Sequence, residues 1–336
     1  MRRPQVVPPI PPVQPVRPDA DLFLVSRSEP YLEALDRVRR YARHPRVPVL
    51  LEGESGTGKT LFARHLHVSS PRAHGPFTIV NLAALDDALA GSELFGHVAG
   101  AFTGAIRSRQ GAFTAAHGGT LFLDEIGRSS RAVQAKLLNA VEDGRVPTLG
   151  ADVAAHADVR IVAATSTALR RLVADDQFLL DLWMRLGGCV VRIPALRERA
   201  EDIPLLVARL VERAAAGHGY ERPPRLDDAL LECLATAAWP GNVRQLVMAV
   251  DAMLLHADGE ARLTLAHCDA SIFERASLPG RGGLADEVPS IPCDRLRLAL
   301  AQESGNKTRA AHRLGVSRTT LYRWLNADTS RMALER

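Results

Sequence analysis

Apolar residues recur at three- and four-residue intervals between residues 27 and 44, which predicts an amphipathic helix. Four short apolar runs come next in the chain: VPVLLEG (47–53), FTIVNL (77–82), TLFLDE (120–125) and VRIVAAT (159–165). Their apolar positions are nearly continuous, as in strands that are buried on both faces of a parallel sheet. Helical patterns separate the runs. This alternation of strands and helices predicts a doubly wound α/β fold.

The pattern changes near residue 196, because only helical periodicity continues from there to about residue 258. A stretch rich in Gly and Pro, residues 277–292, then indicates a linker. The remaining C-terminal segment is short, helical and basic. The predicted segments are 22–258 (an α/β part to about residue 195 and a helical part over about 196–258), 259–292 (linker), 293–327 (small all-α domain) and 328–336 (tail).

The first 21 residues are rich in proline, which predicts a disordered, extended tail; a ligand for an SH3-type domain is the alternative. The chain is 46% hydrophobic and 24% charged, so it is long and apolar enough to bury a sizeable core. A net charge of +4 is too small to establish nucleic-acid binding by itself. The four scattered cysteines are interpreted as small buried side chains in a reducing compartment, rather than as disulfides or zinc ligands.

No apolar run approaches the length of a membrane span, and prolines interrupt the segment after MRRP at the N-terminus. The composition therefore predicts no membrane span and no signal peptide, and we expect a cytoplasmic protein. Barely two dozen residues precede the α/β domain, so we expect no receiver or ligand-binding domain in front of it. Regulation is then expected from a protein acting in trans, or from the expression level.

The segment GESGTGKT (53–60) satisfies the pattern G-x-x-x-x-G-K-[ST] directly after a predicted strand and before a helix. The glycines permit the tight turn that directs backbone N–H groups at phosphates. In this pattern the lysine reaches the β- and γ-phosphates of a nucleotide and the hydroxyl binds Mg²⁺. The predicted cofactors are thus ATP and Mg²⁺, and the predicted contacts are Gly53, Glu54, Ser55, Gly56, Thr57, Gly58, Lys59 and Thr60.

The strand TLFLDE delivers Asp124 and Glu125 to its carboxyl end, where open α/β sheets bind their ligands. Asp124 is expected to hold Mg²⁺, and Glu125 to orient and deprotonate the attacking water. Acidic residues often end strands merely because they face solvent. In a parallel sheet that also has a P-loop, two adjacent acids with two roles predict hydrolysis as well as binding.

The segment GHVAGAFTGAIRSRQG (96–111) combines glycines and small residues around one aromatic side chain, Phe102. Gly100 and Gly104 permit alternative backbone conformations at little steric cost. Phe102 supplies one large apolar contact, beside the hydroxyl of Thr103. The segment contains no acid or cysteine, so we expect a contact loop rather than a catalytic one; an ordinary surface loop is the alternative.

Five motifs occur in order: GESGTGKT, SELFGHVAGAFTGA (92–105), GGTLFLDEIG (118–127), LRERAEDIP (196–204) and WPGNVRQL (239–246). Together they resemble the AAA+ domain of the bacterial enhancer-binding proteins that activate sigma-54 RNA polymerase, and the resemblance covers nearly all of residues 22–258. It implies a P-loop NTPase with a helical lid. It also implies that the GAFTGA loop contacts the sigma factor and moves as ATP is hydrolysed, through Gly100, Ala101, Phe102, Thr103, Gly104 and Ala105.

The resemblance assigns roles to three further residues. Asn81 matches an asparagine that pairs with the glutamate after the strand and relays the nucleotide state; a hydrogen bond at the strand end is the alternative. Arg244 matches the sensor II arginine, which approaches the nucleotide from the lid. Arg185 matches an arginine presented to the ATP of a neighbouring subunit, with a surface salt bridge as the alternative.

The chain departs from the family's pattern at two positions that bear on hydrolysis. Leu179 stands where a second intersubunit arginine is expected. The sensor I asparagine is absent, and Ser166 or Thr165 takes its place. A serine has a shorter reach and a single donor. We therefore expect these changes to affect the rate of hydrolysis more than the fold.

Residues 295–325 predict three short helices, with a glycine turn at Gly315 before a third helix that Ser317 caps. The exposed face of that helix carries Arg318, Thr319, Thr320 and Arg323, which suit phosphates and base edges. The segment resembles the Fis-type helix-turn-helix domain that ends most proteins of this family. It implies dimeric binding to double-stranded DNA; a basic helical hairpin for protein contact is the alternative.

The resemblance as a whole implies an activator that binds upstream DNA, assembles from dimers into a ring such as a hexamer, and remodels the closed complex of sigma-54 RNA polymerase. The first alternative is a DNA-binding AAA+ regulator that uses ATP as an assembly switch or works in a mixed ring. A repressor with a vestigial ATPase fold is disfavoured, because both nucleotide motifs are complete. A helicase loader or a chaperone-type AAA+ protein is disfavoured by the intact GAFTGA motif.

Overall fold

The computed structural model describes residues 24–102 and 105–268. The predicted proline-rich tail (1–21), the helix-turn-helix domain (293–327), the tail 328–336, Thr103 and Gly104 lie outside the described residues. The chain divides after Pro194 into two compact units.

The first unit alternates helices and strands along the chain. Its elements are α1 (Glu29–Ala42), β1 (Val49–Glu52), α2 (Lys59–Val68), β2 (Phe77–Asn81), α3 (Asp87–Phe95), α4 (Ala112–Ala115), β3 (Thr120–Asp124), α5 (Arg131–Asp143), β4 (Arg145–Val146), β5 (Ala155–His156), β6 (Arg160–Thr165), α6 (Leu169–Ala174), α7 (Leu180–Leu186) and β7 (Val190–Arg192). Two short 3₁₀ helices, Leu82–Ala84 and Ile126–Arg128, come directly after β2 and β3.

Five strands form a parallel sheet in the order β2-β3-β6-β1-β7. The α/β fold predicted from the apolar runs is confirmed. Successive residues of a strand point to opposite faces, and both faces are covered: Leu121 packs into one core and Phe122 into the other. The apolar runs of the inner strands are nearly continuous because both of their faces are buried, whereas the edge strand β2 exposes Ile79. The edge strand β7 has only three residues, which is too short for its pattern to be recognised in the sequence.

A buried arginine ties the first helix to the sheet. Arg160, the first residue of β6, is fully buried and donates hydrogen bonds to the carbonyls of Ala42 (3.1 Å) and Tyr41 (2.6 Å) at the end of α1. Burial lowers the pKa of Arg160 to about 10. The guanidinium meets the carbonyl end of a helix, where the partial negative charge favours a cation. Its charge therefore stabilises the packing of α1 on the sheet at the edge opposite the strand carboxyl ends.

The second unit is mainly helical. It contains a 3₁₀ helix (Leu196–Asp202), α8 (Ile203–Ala215), a 3₁₀ turn (Ala216–His218), β8 (Arg225–Leu226), α9 (Asp228–Thr236), α10 (Asn242–Ala257), β9 (Arg262–Leu263) and a last 3₁₀ turn (Leu265–His267). Asn242 begins α10, and its side-chain oxygen accepts the amide of Leu196 at 2.7 Å. Trp239 is buried, and its indole N–H donates to the carbonyl of Leu234 at 2.7 Å. These contacts explain the WPGN portion of the motif as a structural junction between helices.

The prediction that the linker begins at residue 259 is wrong. Residues 259–268 fall within the predicted linker, but β9 pairs in parallel with β8, and the last 3₁₀ turn packs beside α10. The buried Leu263 and His267 fix this segment on the helices. Because β9 has only two residues, its apolar pattern is too short to be distinguished from the neighbouring Gly- and Pro-rich stretch. Within the described residues, no helix is both long enough and apolar enough to cross a membrane.

Candidate nucleotide site and contact loop

The P-loop connects β1 to α2 through two glycines in the left-handed region, Gly56 (φ 80°) and Gly58 (φ 101°). Residues other than glycine rarely adopt these backbone angles. A Cβ atom at Gly53 would lie 2.9 Å from the carbonyl oxygen of Ile193, so the loop begins in close contact with the chain that leaves β7. Burial raises the pKa of Glu52, the residue just before the loop. The strand, turn and helix predicted for GESGTGKT are present.

Lys59 is the first residue of α2, and its side chain is only 6% exposed. Its Nζ donates to the carbonyls of Gly53 (2.8 Å) and Glu54 (3.2 Å), so the ammonium lies under the loop. Gly58, at the N-cap, has no side chain to satisfy the first amides of α2. The glycine loop, the fixed ammonium of Lys59 and the half-buried hydroxyl of Thr60 suit a nucleoside triphosphate with its magnesium ion.

The strand β3 ends at Asp124, and Glu125 comes next in a left-handed conformation (φ 54°, ψ 45°). This conformation is uncommon for a residue with a side chain and costs on the order of 1 kcal/mol. It turns the Glu125 carboxylate toward the P-loop, where Oε1 lies 3.5 Å from Nζ of Lys59. The amide of Glu125 donates to Oδ1 of Asp124 at 3.1 Å. The structure thus brings together the lysine and the acidic pair.

Ser166 is the main hydrogen-bond partner of Glu125. Its hydroxyl (2.7 Å) and its backbone amide (3.2 Å) both donate to Oε2 of Glu125. Thr165 is turned away, because its hydroxyl donates to the carbonyl of Thr167 at 2.7 Å and accepts the amide of the same residue at 3.2 Å. Of the two candidate replacements for the sensor I asparagine, Ser166 is therefore the one that contacts the site.

Asn81 does not form the pairing expected of it. It ends β2 beside Asp124 of β3, but its side-chain oxygen accepts the amide of Ala83 at 3.0 Å and so caps the 3₁₀ helix Leu82–Ala84. In the described parts of the chain, no hydrogen bond joins Asn81 to Glu125. The strand-end hydrogen bond, which is the alternative that the sequence leaves open, is the interaction observed. The side chain of Asn81 is therefore engaged in a local hydrogen bond with the 3₁₀ helix that follows β2.

The candidate intersubunit arginine is exposed. Arg185 lies on α7, and its guanidinium donates to the carbonyl of Glu142 at 3.4 Å. Leu179, where a second arginine is expected, is half-buried against the apolar core, and its amide donates to the buried Gln134 at 2.8 Å. Arg244 is exposed on α10 in the second unit. Both predicted arginines are thus on the surface, and the position of Leu179 faces inward.

The GAFTGA loop leaves the body of the protein through a stem of backbone hydrogen bonds. His97 exchanges two with Arg109 (3.0 and 2.8 Å), while Leu149 bonds to Gly96 and Val98 (3.0 Å each). Glu93 forms an ion pair with Arg109 at 2.6 Å. Nearer the tip, the amide of Gly100 donates to the carbonyl of Ala105 at 2.7 Å, and Gly100 has a φ of 83°. The loop is closed at its base by backbone contacts, and Gly100 is bonded to Ala105 across its upper part.

The aromatic side chain of the loop rests on a histidine that the sequence pattern does not single out. The rings of Phe102 and His97 meet edge to face, with centroids 5.0 Å apart, and Nδ1 of His97 lies 2.7 Å from the hydroxyl of Ser92. His97 is buried, whereas Phe102 is 47% exposed. A histidine five residues before an isolated aromatic gives no sequence signal. Only the fold of the stem brings the two rings together.

Comparison with known families accounts for most of the chain. Residues 24–192 match the Sigma-54 interaction domain, residues 197–280 match the AAA+ ATPase lid domain, and residues 290–327 match the Fis family of bacterial regulatory proteins. The first match covers the P-loop, the GAFTGA loop and both acidic residues. The third covers the predicted helix-turn-helix domain, which lies outside the described residues.

Two regulatory proteins and two solved structures are similar to long parts of this chain. The chain is 40% identical to the transcriptional regulatory protein GlrR of Escherichia coli K12, over 90% of this chain and 67% of the relative. It is 48% identical to the Nif-specific regulatory protein of Enterobacter agglomerans, over 66% of this chain and 42% of that protein. Among solved structures, NtrX of Brucella abortus in complex with ATP is similar with a TM-score of 0.67 and 32% identity, over 90% of this chain and 68% of that one. The corresponding ADP complex has a TM-score of 0.69 and 30% identity, over 91% and 69%.

Proposed function

This chain belongs to the family of sigma-54-dependent transcriptional activators, and we propose from that premise that it is an ATP-hydrolysing activator. Its Fis-type domain binds upstream double-stranded DNA as a dimer, through Arg318, Thr319, Thr320 and Arg323. Its AAA+ domains assemble into a homo-oligomeric ring in the cytoplasm. Hydrolysis in the ring then moves the GAFTGA loop against the sigma-54 RNA polymerase holoenzyme.

The observation that carries the proposal is the convergence of Lys59, Glu125 and Ser166 at the carboxyl edge of the sheet. Lys59 binds the β- and γ-phosphates, and Asp124 with the hydroxyl of Thr60 holds Mg²⁺, which neutralises phosphate charge when bound. Glu125 orients the attacking water and accepts its proton. A carboxylate within 3.5 Å of the P-loop lysine is in place for hydrolysis and is not required for binding alone.

Hydrolysis is completed in trans by Arg185 of a neighbouring subunit. The exposure of this side chain on α7 supports the assignment, because a guanidinium on the surface is available to a second copy. Leu179 faces the apolar core and offers no charge, so each subunit contributes one arginine from α7. Arg244, which matches the sensor II arginine, is proposed as a further phosphate contact.

The test is ATP turnover by the purified full chain over a range of protein concentrations, with Glu125→Ala and Arg185→Ala measured separately and mixed. We expect turnover per subunit to rise with concentration and to be lost in each variant alone. A 1:1 mixture is expected to regain activity, because about a quarter of its interfaces combine an intact Glu125 with an intact Arg185. Arg170→Ala, which removes an exposed arginine of α6, is the matched control and keeps wild-type turnover.

Each failure has a distinct meaning. Loss in Arg185→Ala without recovery in the mixture would show that the arginine acts within its own subunit. ATP binding without turnover at any concentration would contradict hydrolysis. It would favour the second candidate, a nucleotide-switched DNA-binding regulator, for which the apolar Leu179 is the supporting observation.

A further inference from the structure

We infer that Ser166 is the positioning residue for the catalytic carboxylate of Glu125 in this chain, in place of Asn81. The inference rests on the proposed hydrolysis and assigns a role within the same site. Two donors of one residue converge on a single oxygen of Glu125, at 2.7 Å from the hydroxyl and 3.2 Å from the amide. Donors fixed in this way hold a carboxylate in one orientation, because rotation would break both bonds together.

The strand register brings Ser166 to this place. Parallel pairing of β3 with β6 aligns Leu123 with Ala163, so the residues just after the two strands emerge side by side. Glu125 then turns back through its left-handed conformation, while Ser166 continues β6 by one residue. The contact joins residues 41 positions apart in the chain. The backbone of two buried strands thus fixes the distance between donor and acceptor.

A close approach at Gly127 keeps the two segments together. A Cβ atom at this position would lie 2.8 Å from Cδ1 of Leu172 and 3.0 Å from the hydroxyl oxygen of Thr165. The absence of a side chain lets the turn after Glu125 pack directly against the residues at the end of β6. The Glu125–Ser166 contact is therefore supported by the close packing of the Gly127 backbone against side chains of β6 and α6.

The second oxygen of the carboxylate faces Lys59. Oε1 lies 3.5 Å from Nζ, whereas Oε2 accepts both bonds from Ser166. The carboxylate is held between the P-loop cation on one side and the end of β6 on the other. Asn81 stands at the end of the other neighbouring strand, but its oxygen is engaged with the amide of Ala83. Ser166 is then the residue that holds the Glu125 carboxylate at the end of β6.

The first measurement does not depend on turnover: it is amide hydrogen exchange at Ser166 in the wild-type chain, in Glu125→Ala and in Asn81→Ser. The serine variant keeps an oxygen to cap Ala83 and removes the amide group. We expect exchange at Ser166 to become about tenfold faster in Glu125→Ala, because its acceptor is lost, and to be unchanged in Asn81→Ser. Equal rates in the wild type and Glu125→Ala would overturn the inference.

The second measurement is steady-state ATP turnover by Ser166→Ala, Ser166→Thr and Asn81→Ser. We expect Ser166→Ala to lower kcat about tenfold with KM for ATP changed less than about twofold, since a misplaced base affects the transition state more than binding. Ser166→Thr retains the hydroxyl and is expected to restore most of kcat, and Asn81→Ser to keep it. Unchanged or raised kcat in Ser166→Ala, or a loss in Asn81→Ser that equals it, would overturn the inference.

The two measurements separate this inference from the proposed function. If the wild-type chain hydrolyses no ATP, the proposed hydrolysis fails, and exchange at Ser166 still decides whether that residue holds Glu125. If the chain hydrolyses ATP but neither the exchange rate nor kcat responds as expected, the hydrolysis stands and the role of Ser166 falls. Equal urea-unfolding midpoints of Ser166→Ala and the wild type exclude a general loss of structure.

Discussion

The sheet edge where Lys59, Glu125 and Ser166 meet and the GAFTGA loop are held by different kinds of contact; because we propose hydrolysis at this edge, we call it the hydrolytic edge. At the hydrolytic edge, Lys59 and Glu125 leave buried elements and are fixed by side-chain hydrogen bonds within the protein. At the loop, backbone pairing of His97 with Arg109 closes the stem. The Phe102 ring packs against the His97 ring and is about half exposed. In the proposed function, hydrolysis therefore depends on fixed side chains, whereas contact with sigma-54 depends on a fixed backbone and an accessible tip.

Because the contacts differ, substitutions are expected to separate hydrolysis from sigma-54 remodelling. Side-chain changes at the hydrolytic edge alter the distance between a base and a phosphate, so they are expected to affect turnover. Changes in the loop stem alter where Phe102 stands, and they are expected to affect sigma-54 remodelling while turnover continues. The loop lies between the P-loop and the acidic strand in the chain, but its stem is anchored on α3 and on Leu149.

The largest expected separation is at the tip of the loop. Phe102→Ala removes the exposed ring, and we expect sigma-54-dependent open-complex formation to fall roughly 100-fold, as for loss of an aromatic hot spot. ATP turnover should stay within about twofold of the wild type, because the ring makes no contact with the hydrolytic residues in the described chain. Phe102→Tyr keeps the ring and serves as the control. A parallel loss of turnover in Phe102→Ala would break the separation.

A smaller effect is expected from the stem. A Cβ atom at Gly111 would collide with backbone atoms of Gly96, Phe95 and Leu94, which cannot move aside as a flexible side chain does. Gly111→Ala should therefore open the stem and lower open-complex formation about tenfold, with turnover changed less than about threefold. Gly217→Ala, where the added atom meets nothing within 4 Å, is the matched control. Wild-type remodelling by Gly111→Ala would show that the position of the stem is unimportant.

The smallest effect is expected from the support of Phe102. An edge-to-face ring pair contributes about 1 kcal/mol, so His97→Ala should speed amide exchange in residues 99–102 roughly fivefold. His97→Phe keeps a ring and should retain much of the protection. Ser92→Ala removes only the hydrogen bond at 2.7 Å. If Ser92→Ala has as large an effect as His97→Ala, the hydrogen bond rather than the ring contact holds the loop.

Much of the hydrolytic edge could be predicted from the sequence because its signals are local. The P-loop glycines, Lys59 and the acidic pair come directly after short strands, and parallel strands bring their carboxyl ends to one edge. The role of Asn81 could not be settled in this way. Whether its side chain meets Glu125 or the amide of Ala83 depends on a rotamer and on a competing local donor, and neither has a sequence pattern.

The α/β fold, the P-loop and the GAFTGA segment could be predicted from the amino-acid pattern, since apolar periodicity and glycine spacing act over a few neighbouring residues. The contacts of Ser166 with Glu125, of His97 with Phe102 and of Arg160 with the end of α1 follow only from the assembled fold. The two hydrogen-bonded contacts among these join residues 41 and 119 positions apart. Strand register and helix packing set such distances, and they are fixed only when the whole domain is assembled.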